Sequence, residues 1–336
     1  MRIITYREAV REAMIQEMQR DNDVFLLGQD VAGGAGREDK GIIDGWGGSF
    51  AVSKGMATVL GTDRVIDCTL AEAGYVGIAV AAATAGLRPI AEIMFSDFIW
   101  LAGDQLFNSA AKLRYISAGQ YSCKLTVRTA MGGGTRAGIH HSQTWYSLAT
   151  HIPGVKVVAP SNPYDAKGIL TAAIRDDDPV IVFEHKGLYG MKGEVPEEQY
   201  EIPIGKAKIL KEGTDITIVG ISMMVNKAME ASKILAGKGI NVEVIDPISL
   251  SPLDENTILE SLAKTGHLVI VDESNPRCSI ATDIAAMVAS KGIYFLDAPI
   301  GLVTAPHTPV PFSPSLEDAY MPNENSIVDA VLKALS

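Results

Sequence analysis

The 336-residue chain has room for two domains of ordinary size. Its 47% hydrophobic share against only 6% aromatics asks for cores of Ala, Val, Ile and Leu, and its 32 glycines fit many turns. A net charge of −11 with no basic stripe excludes an electrostatic nucleic-acid binder, since phosphates are held by clustered Lys and Arg.

In chain order, the polar start from Arg2 lacks a signal-peptide pattern, and residues 5–20 read as a helix. Strand-like runs follow at 24–27, 64–68, 89–94, 125–129, 155–159 and 180–184, then at 216–220, 242–246, 268–272 and 294–298. Helical patterns lie between them at 75–85, 105–115, 164–174, 225–236 and 280–289. Many of the strand runs are β-branched and apolar throughout, as in parallel strands covered on both faces. The alternation predicts an α/β fold with right-handed crossovers. The segment 31–50 is a long loop with glycines at 33, 34, 36, 41, 45, 47 and 48, and such loops are often functional. Residues 187–203, with Gly187, Gly190, Gly193, Pro196 and Pro203, break the rhythm and read as an exposed connection. The division is therefore a domain over 1–190, a linker over 191–203 and a second domain over 204–336. The apolar run 76–87 is too short to cross a bilayer, so no membrane role and a cytoplasmic location are expected. Cys68, Cys123 and Cys278 have no metal-ligand spacing, and Cys68 and Cys123 read as core thiols in strands.

Glu72 stands out within Thr69-Leu70-Ala71-Glu72-Ala73-Gly74. It sits where a strand hands over to a small-residue helix, and the carboxyl ends of strands are where α/β sheets bind ligands. A poorly solvated carboxyl there can handle protons; the plainer reading is an acidic residue stabilising a helix start. Gly132-Gly133-Gly134-Thr135-Arg136-Ala137 formally fits a dinucleotide fingerprint. It comes after a late strand, opens no helix, and so fails the context that motif needs. No P-loop, zinc-protease or nucleophile-elbow motif occurs. Two stretches survive. His140 and His141 end the glycine-rich loop 132–143 and can stabilise an oxyanion, although ordinary loop histidines look the same. The run 92–100, with Phe95, Phe98 and Trp100, can hold a planar heterocycle, although core packing uses the same residues.

Further segments complete an ordered set: Gly28-Gln29-Asp30-Val31, Gly86-Leu87-Arg88-Pro89-Ile90-Ala91-Glu92, Ala110-Ala111-Lys112-Leu113-Arg114-Tyr115, His141-Ser142-Gln143 and Pro163-Tyr164-Asp165-Ala166-Lys167-Gly168. Together with 69–74 they make the chain resemble the beta subunit of the thiamine-diphosphate-dependent first component of 2-oxo acid dehydrogenase complexes. The resemblance runs from about residue 5 to the end. It is narrowest toward the acetoin-cleaving branch, through Trp46-Gly47-Gly48, residues 191–197, 277–283 and 304–311. Where the family usually reads Gly-Glu-Asp-Val, this chain has Gln29.

The resemblance implies two doubly wound domains, a transketolase-like pyrimidine-binding domain and a transketolase C-terminal-like domain. It implies that thiamine diphosphate is bound by its aminopyrimidine end. Glu72 matches the family glutamate on the pyrimidine ring nitrogen, Phe98 the aromatic residue packed on that ring, and His141 the histidine at the substrate end. His140 has no consistent counterpart. Leu125, Ala173, Ile174, Asp176 and Asp178 match positions that hold a potassium ion. The Gly-Asp-Gly turn that binds magnesium and the diphosphate is absent here and belongs to the family's alpha subunit. The implied assembly is therefore an α2β2 heterotetramer that passes an acetyl unit from acetoin to lipoamide on an acyltransferase. Pyruvate or branched-chain 2-oxo acid oxidation, a non-catalytic α/β scaffold and a one-chain transketolase-like synthase are the alternatives.

Overall fold

In a computed structural model the predicted alternation becomes parallel strands joined by helices. The structure describes residues 1–34 and 44–336, so Gly36 and Gly41 of the glycine-rich loop lie outside the described residues. These form two units, Met1–Met131 with Leu148–Ile204, and Gly132–Ser147 with Gly205–Ser336.

The first unit carries β1 (Arg2–Thr5), β2 (Val24–Gly28), β3 (Val65–Asp67), β4 (Arg88–Ile93), β5 (Thr126–Met131), β6 (Lys156–Val158), β7 (Val180–His185) and β8 (Lys192–Val195). Its main sheet runs β6-β7-β5-β4-β2-β3, with every neighbouring pair parallel. The chain passes from β2 outward to β3, then crosses back over β2 to β4. That reversal is the topological switch where open α/β sheets leave a crevice. The crossing is made by helix Glu72–Thr84, whose small residues let it lie close on the sheet. Helix Tyr6–Arg20 starts at a capping box, in which Thr5 and Glu8 satisfy each other's backbone N–H groups. It packs against helix Pro163–Arg175.

The second unit carries β9 (Lys208–Lys211), β10 (Ile216–Gly220), β11 (Val242–Asp246), the short β12 (Ser249–Ser251), β13 (Leu268–Asp272) and β14 (Gly301–Thr304). Its sheet runs β14-β13-β10-β11-β9, parallel except for the edge strand β9. Helices Met223–Ala236 and Glu324–Ala334 bury Met224, Ala228, Ile327 and Val331 against Ile218, Val244 and Val269.

Several local expectations are corrected. The run 294–298 is no strand: Ile293–Phe295 is a 3-10 turn with Tyr294 almost wholly exposed, and the edge strand comes later at Gly301–Thr304. The aromatic run follows a helix end, so it has no sheet neighbour to cover it. The helix expected at 105–115 is broken into a π turn (Asp104–Ser109), a 3-10 turn (Ala110–Lys112) and one α turn (Leu113–Ile116). The stretch 187–203 is no exposed coil, because β8 pairs antiparallel with β1. Tyr200 also stacks on Tyr164 at 4.7 Å, and the Lys167 ammonium donates to the carbonyls of Pro196 and Glu198 at 2.7 and 2.9 Å. Cys68 lies just past β3 and is only half-buried, whereas Cys123 is buried ahead of β5.

Candidate active site

Parallel register brings a row of residues to the carboxyl edge of the first unit's sheet. Gly28 pairs with both Asp67 and Glu92, and Glu92 pairs with Arg128. Glu72 opens the helix that follows β3, five residues beyond Asp67, which pairs with Gly28. Its side chain is 8% exposed although Ala71 and Ala73 on either side are exposed. Among the described residues none donates a hydrogen bond to its carboxylate, unlike the carboxylates of Asp67 and Asp44, which accept backbone N–H groups. Although the residue is largely buried, its carboxylate oxygens are not sealed from solvent, and they are open to receive a polar ligand atom.

Phe98 lies in the 3-10 segment Ser96–Ala102, which packs against the Glu72 helix. It meets Phe95 edge-on at 5.9 Å, Phe95 meets Phe50 at 5.4 Å, and Phe50 meets Tyr189 at 5.2 Å. The Lys186 ammonium sits 5.5 Å from the centre of the Phe95 ring. The ring series therefore fixes Phe98 from one side and continues into a charged network. The Tyr189 hydroxyl donates to Glu184 Oε2 at 2.8 Å. Arg128 grips Glu184 through Nε and Nη2, both at 2.7 Å, and turns Nη1 to Glu92 Oε2 at 2.8 Å.

All three charged members are buried. Two carboxylates face one guanidinium, so full ionisation leaves an excess negative charge inside the sheet edge. Burial pushes the Glu92 carboxyl above the usual range, although Arg128 pulls it back. Burial opposes the Arg128 charge, but Glu184 and Glu92 overcome it and hold the guanidinium protonated. The Tyr75 hydroxyl, on the first turn of the Glu72 helix, is pushed up by burial and then by the charges of Glu72 and Glu92. Gly48 in the glycine-rich loop has φ +72°, and a Cβ there would run into Glu92 Oε1. Glycine at 48 thus lets the loop backbone close over the Glu92 carboxyl.

The other expected residues fall elsewhere. His141 is half-buried and His140 exposed on the glycine-rich loop, which belongs to the second unit. The proposed potassium oxygens already have partners. Thr126 donates to the Ala173 carbonyl at 3.1 Å, and Arg88 Nη1 donates to the carbonyls of Ile174 and Asp176 at 3.2 and 2.9 Å. Lys156 pairs with the Asp176 carboxylate at 2.6 Å, Arg114 pairs with Asp178, and the Val180 N–H donates to the Leu125 carbonyl at 2.9 Å. A cavity of about 1050 Å3 in the first unit is lined by Ala110, Arg114, Tyr115, Pro153 and Lys156, among others, and by neither Glu72 nor Phe98.

Arg128 and Glu184 were not singled out from the sequence. Their signal was present: β4, β5 and β7 are buried along almost all their length, yet each carries a buried charged residue, Glu92, Arg128 and Glu184. Charges in covered strands require a partner or a task.

With this geometry, the comparisons define the class. The model of the transketolase pyrimidine-binding domain matches residues 2–192, and that of the transketolase C-terminal domain matches residues 205–327. The acetoin:2,6-dichlorophenolindophenol oxidoreductase subunit beta of Bacillus subtilis (strain 168) is 55% identical over 99% of this chain and 98% of its own length. The pyruvate dehydrogenase E1 component subunit beta of Rickettsia felis is 42% identical over 98% of both chains. A split-gene transketolase, solved as an inactive beta4 tetramer, superposes with a TM-score of 0.79 over 99% of this chain and 98% of that one, at 24% identity. The chain belongs to the family of thiamine-diphosphate-dependent first-component beta subunits, built from these two transketolase-type domains.

Proposed function

We propose that this chain is the beta subunit of an acetoin-cleaving, acetyl-transferring first component, active when joined to an alpha subunit in an α2β2 heterotetramer. The observation that carries it is Glu72, shielded yet without a hydrogen-bond donor among the described residues, at the sheet's switch point beside the Phe98 segment. Identity of 51% to the corresponding Cupriavidus necator beta subunit, against 40% to a 2-oxoisovalerate dehydrogenase subunit beta, favours the acetoin branch. Exposed apolar side chains flank the site: Leu70, Ile78, Trp100 and Leu101 are each more than half exposed. Apolar surface of that kind marks a protein contact, and an alpha subunit is the partner expected to cover it.

The residues fit a thiamine diphosphate held by its aminopyrimidine. When bound, the cofactor supplies a nucleophilic carbon and an electron sink at the substrate carbonyl. Glu72 holds and exchanges the proton at the pyrimidine ring nitrogen opposite the amino group. Phe98 offers a ring surface to the heterocycle. His141 donates a hydrogen bond to the substrate oxygen or to the incoming lipoyl group. Magnesium is assigned to the alpha subunit, and the acetyl unit passes to a lipoyl acyltransferase.

The oxygens of Ile174, Asp176 and Asp178 are already met by the positive charges of Arg88, Lys156 and Arg114, and Thr126 donates to the Ala173 carbonyl. A potassium ion there would be a fourth positive charge and would have to compete with Lys156 for the Asp176 carboxylate. A melting temperature that is equal in potassium and tetramethylammonium salts removes the assignment; a rise of several degrees in potassium alone supports it.

A substrate panel on the reconstituted pair tests the main reading. With an artificial electron acceptor, acetoin is expected to exceed pyruvate and branched 2-oxo acids by at least about tenfold in kcat/KM, a difference of about 1.4 kcal/mol. A preference for pyruvate overturns the acetoin assignment and leaves the family intact.

A further inference from the structure

The glycine-rich loop of the second unit looks, as a sequence, like a cradle for a ligand's negative charge. In the structure three of its N–H groups are already taken by carboxylates. The Gly133 N–H donates to Glu273 Oε1 at 2.5 Å. The N–H groups of Gly134 and Arg136 donate to the two oxygens of Glu317 at 2.8 and 3.1 Å, and Arg136 Nη1 adds a contact to Glu317 Oε2 at 2.6 Å. Successive backbone N–H groups in such turns form an anion-binding concavity. Here the anions are two carboxylates of the chain itself, one just past β13 and one on helix Pro314–Tyr320.

Several features make this clamp tight. Glu317 is wholly buried, and the loop gives its carboxylate three hydrogen bonds. Moving the loop would strand a charge in the interior, which is far costlier than losing a surface contact. A Cβ on Gly133 would come within 2.7 Å of Met321 Sδ, and one on Gly138 within 3.2 Å of the Phe312 ring. The loop's far end is held too, since the Tyr146 hydroxyl donates to Asp272. Asp272 is buried, and burial pushes its carboxyl up while Tyr146 and the N–H groups of Ser274 and Ala281 favour the charged form. His141 stands between these two anchors, its own N–H turned back to the Gly138 carbonyl at 3.3 Å.

We propose that Glu317 and Glu273 are positioning residues that hold the His141 loop in its working conformation. This rests on the role given to His141 above. The carboxylates touch neither substrate nor cofactor; they act by removing alternative positions for the imidazole. Misplacement by about 1 Å is enough to cost about 100-fold in rate, so the clamp is expected to show in kcat.

The test uses the reconstituted heterotetramer. Glu317→Gln keeps one oxygen for the Gly134 N–H but sets an NH2 group against the Arg136 donors. It is expected to lower kcat about 10- to 100-fold, with a smaller change in KM. Amide hydrogen exchange over residues 132–147 should speed up. Joined to His141→Ala, it should lower kcat by less than about twofold more, because residues acting as one unit are not additive. Glu317→Asp, which keeps the charge, should recover part of the loss. Asp318→Asn, which removes the exposed second partner of Arg136, should leave kcat within about twofold. If Glu317→Gln does not assemble, Glu273→Gln, which disturbs the bond to the Gly133 N–H, takes its place in each measurement. Full kcat in the variant, or a loss that multiplies with that of His141→Ala, overturns the clamp while the function stands. Full activity in His141→Ala alone removes the histidine's role and the clamp with it.

Discussion

Glu72→Gln is expected to lower kcat of the reconstituted pair by about 10²- to 10⁴-fold, the range for losing a placed acid–base group. That corresponds to about 2.7 to 5.4 kcal/mol of barrier. The amide has nearly the same size and can still donate a hydrogen bond to a ring nitrogen, but it cannot exchange a proton there. Cofactor binding, read by calorimetry, should therefore weaken far less than kcat falls. Stability should hardly move, because no hydrogen bond from another described residue is lost with the carboxylate. A fold in which Glu72 merely stabilises a helix start predicts the opposite pattern: unchanged kcat and a loss of about 0.3 to 1 kcal/mol from the helix terminus. The two readings thus separate on one pair of measurements.

The second large effect is on stability. Arg128→Met leaves Glu92 and Glu184 buried without their cation, and removing one partner of such a set costs about 3 to 5 kcal/mol. For a unit of this size that is a drop of roughly 10 °C in melting temperature, taking about 2 to 4 °C per kcal/mol. Denaturant unfolding of Arg128→Met against the triple variant with Glu92→Gln and Glu184→Gln shows the cause. The triple variant should be the more stable of the two, since it removes the stranded charges. Arg128→Lys should lie between Arg128→Met and the parent: it keeps the charge and loses the two-pronged grip on Glu184. A loss below about 1 kcal/mol in Arg128→Met would mean that water or a proton already neutralises the pair.

The parallel strands were legible because the code for them is local. Strands β10, β11 and β13 match the strand-like runs residue for residue, since a strand covered on both faces is apolar along most of its length. Thr5 and Glu8 announced the first helix in the same local way. The misses have the opposite cause. The antiparallel pairing of β1 with β8 joins residues 2–5 to 192–195, and no window along the chain contains both. The exposed run 293–295 has strand-forming residues but no neighbour to pair with. The segment at 104–116 has helical periodicity, yet its turns tighten and loosen as it packs against helix Glu72–Thr84.

The candidate site divides along the same line. Glu72, Phe98 and His141 were found because a strand end, an aromatic run and a glycine-rich loop are each visible in a few residues. Glu92, Arg128 and Glu184 became a unit only through the register of β4, β5 and β7. The two carboxylates on the histidine loop lie 140 and 183 positions from the glycines they hold. The sequence by itself determined the α/β class and the family, because those depend on composition, periodicity and short motifs. Only the tertiary structure decided which charges share a buried partner and which carboxylates fill the glycine loop. Coulombic and hydrogen-bond energies depend on distance in space, and distance along the chain says almost nothing about it.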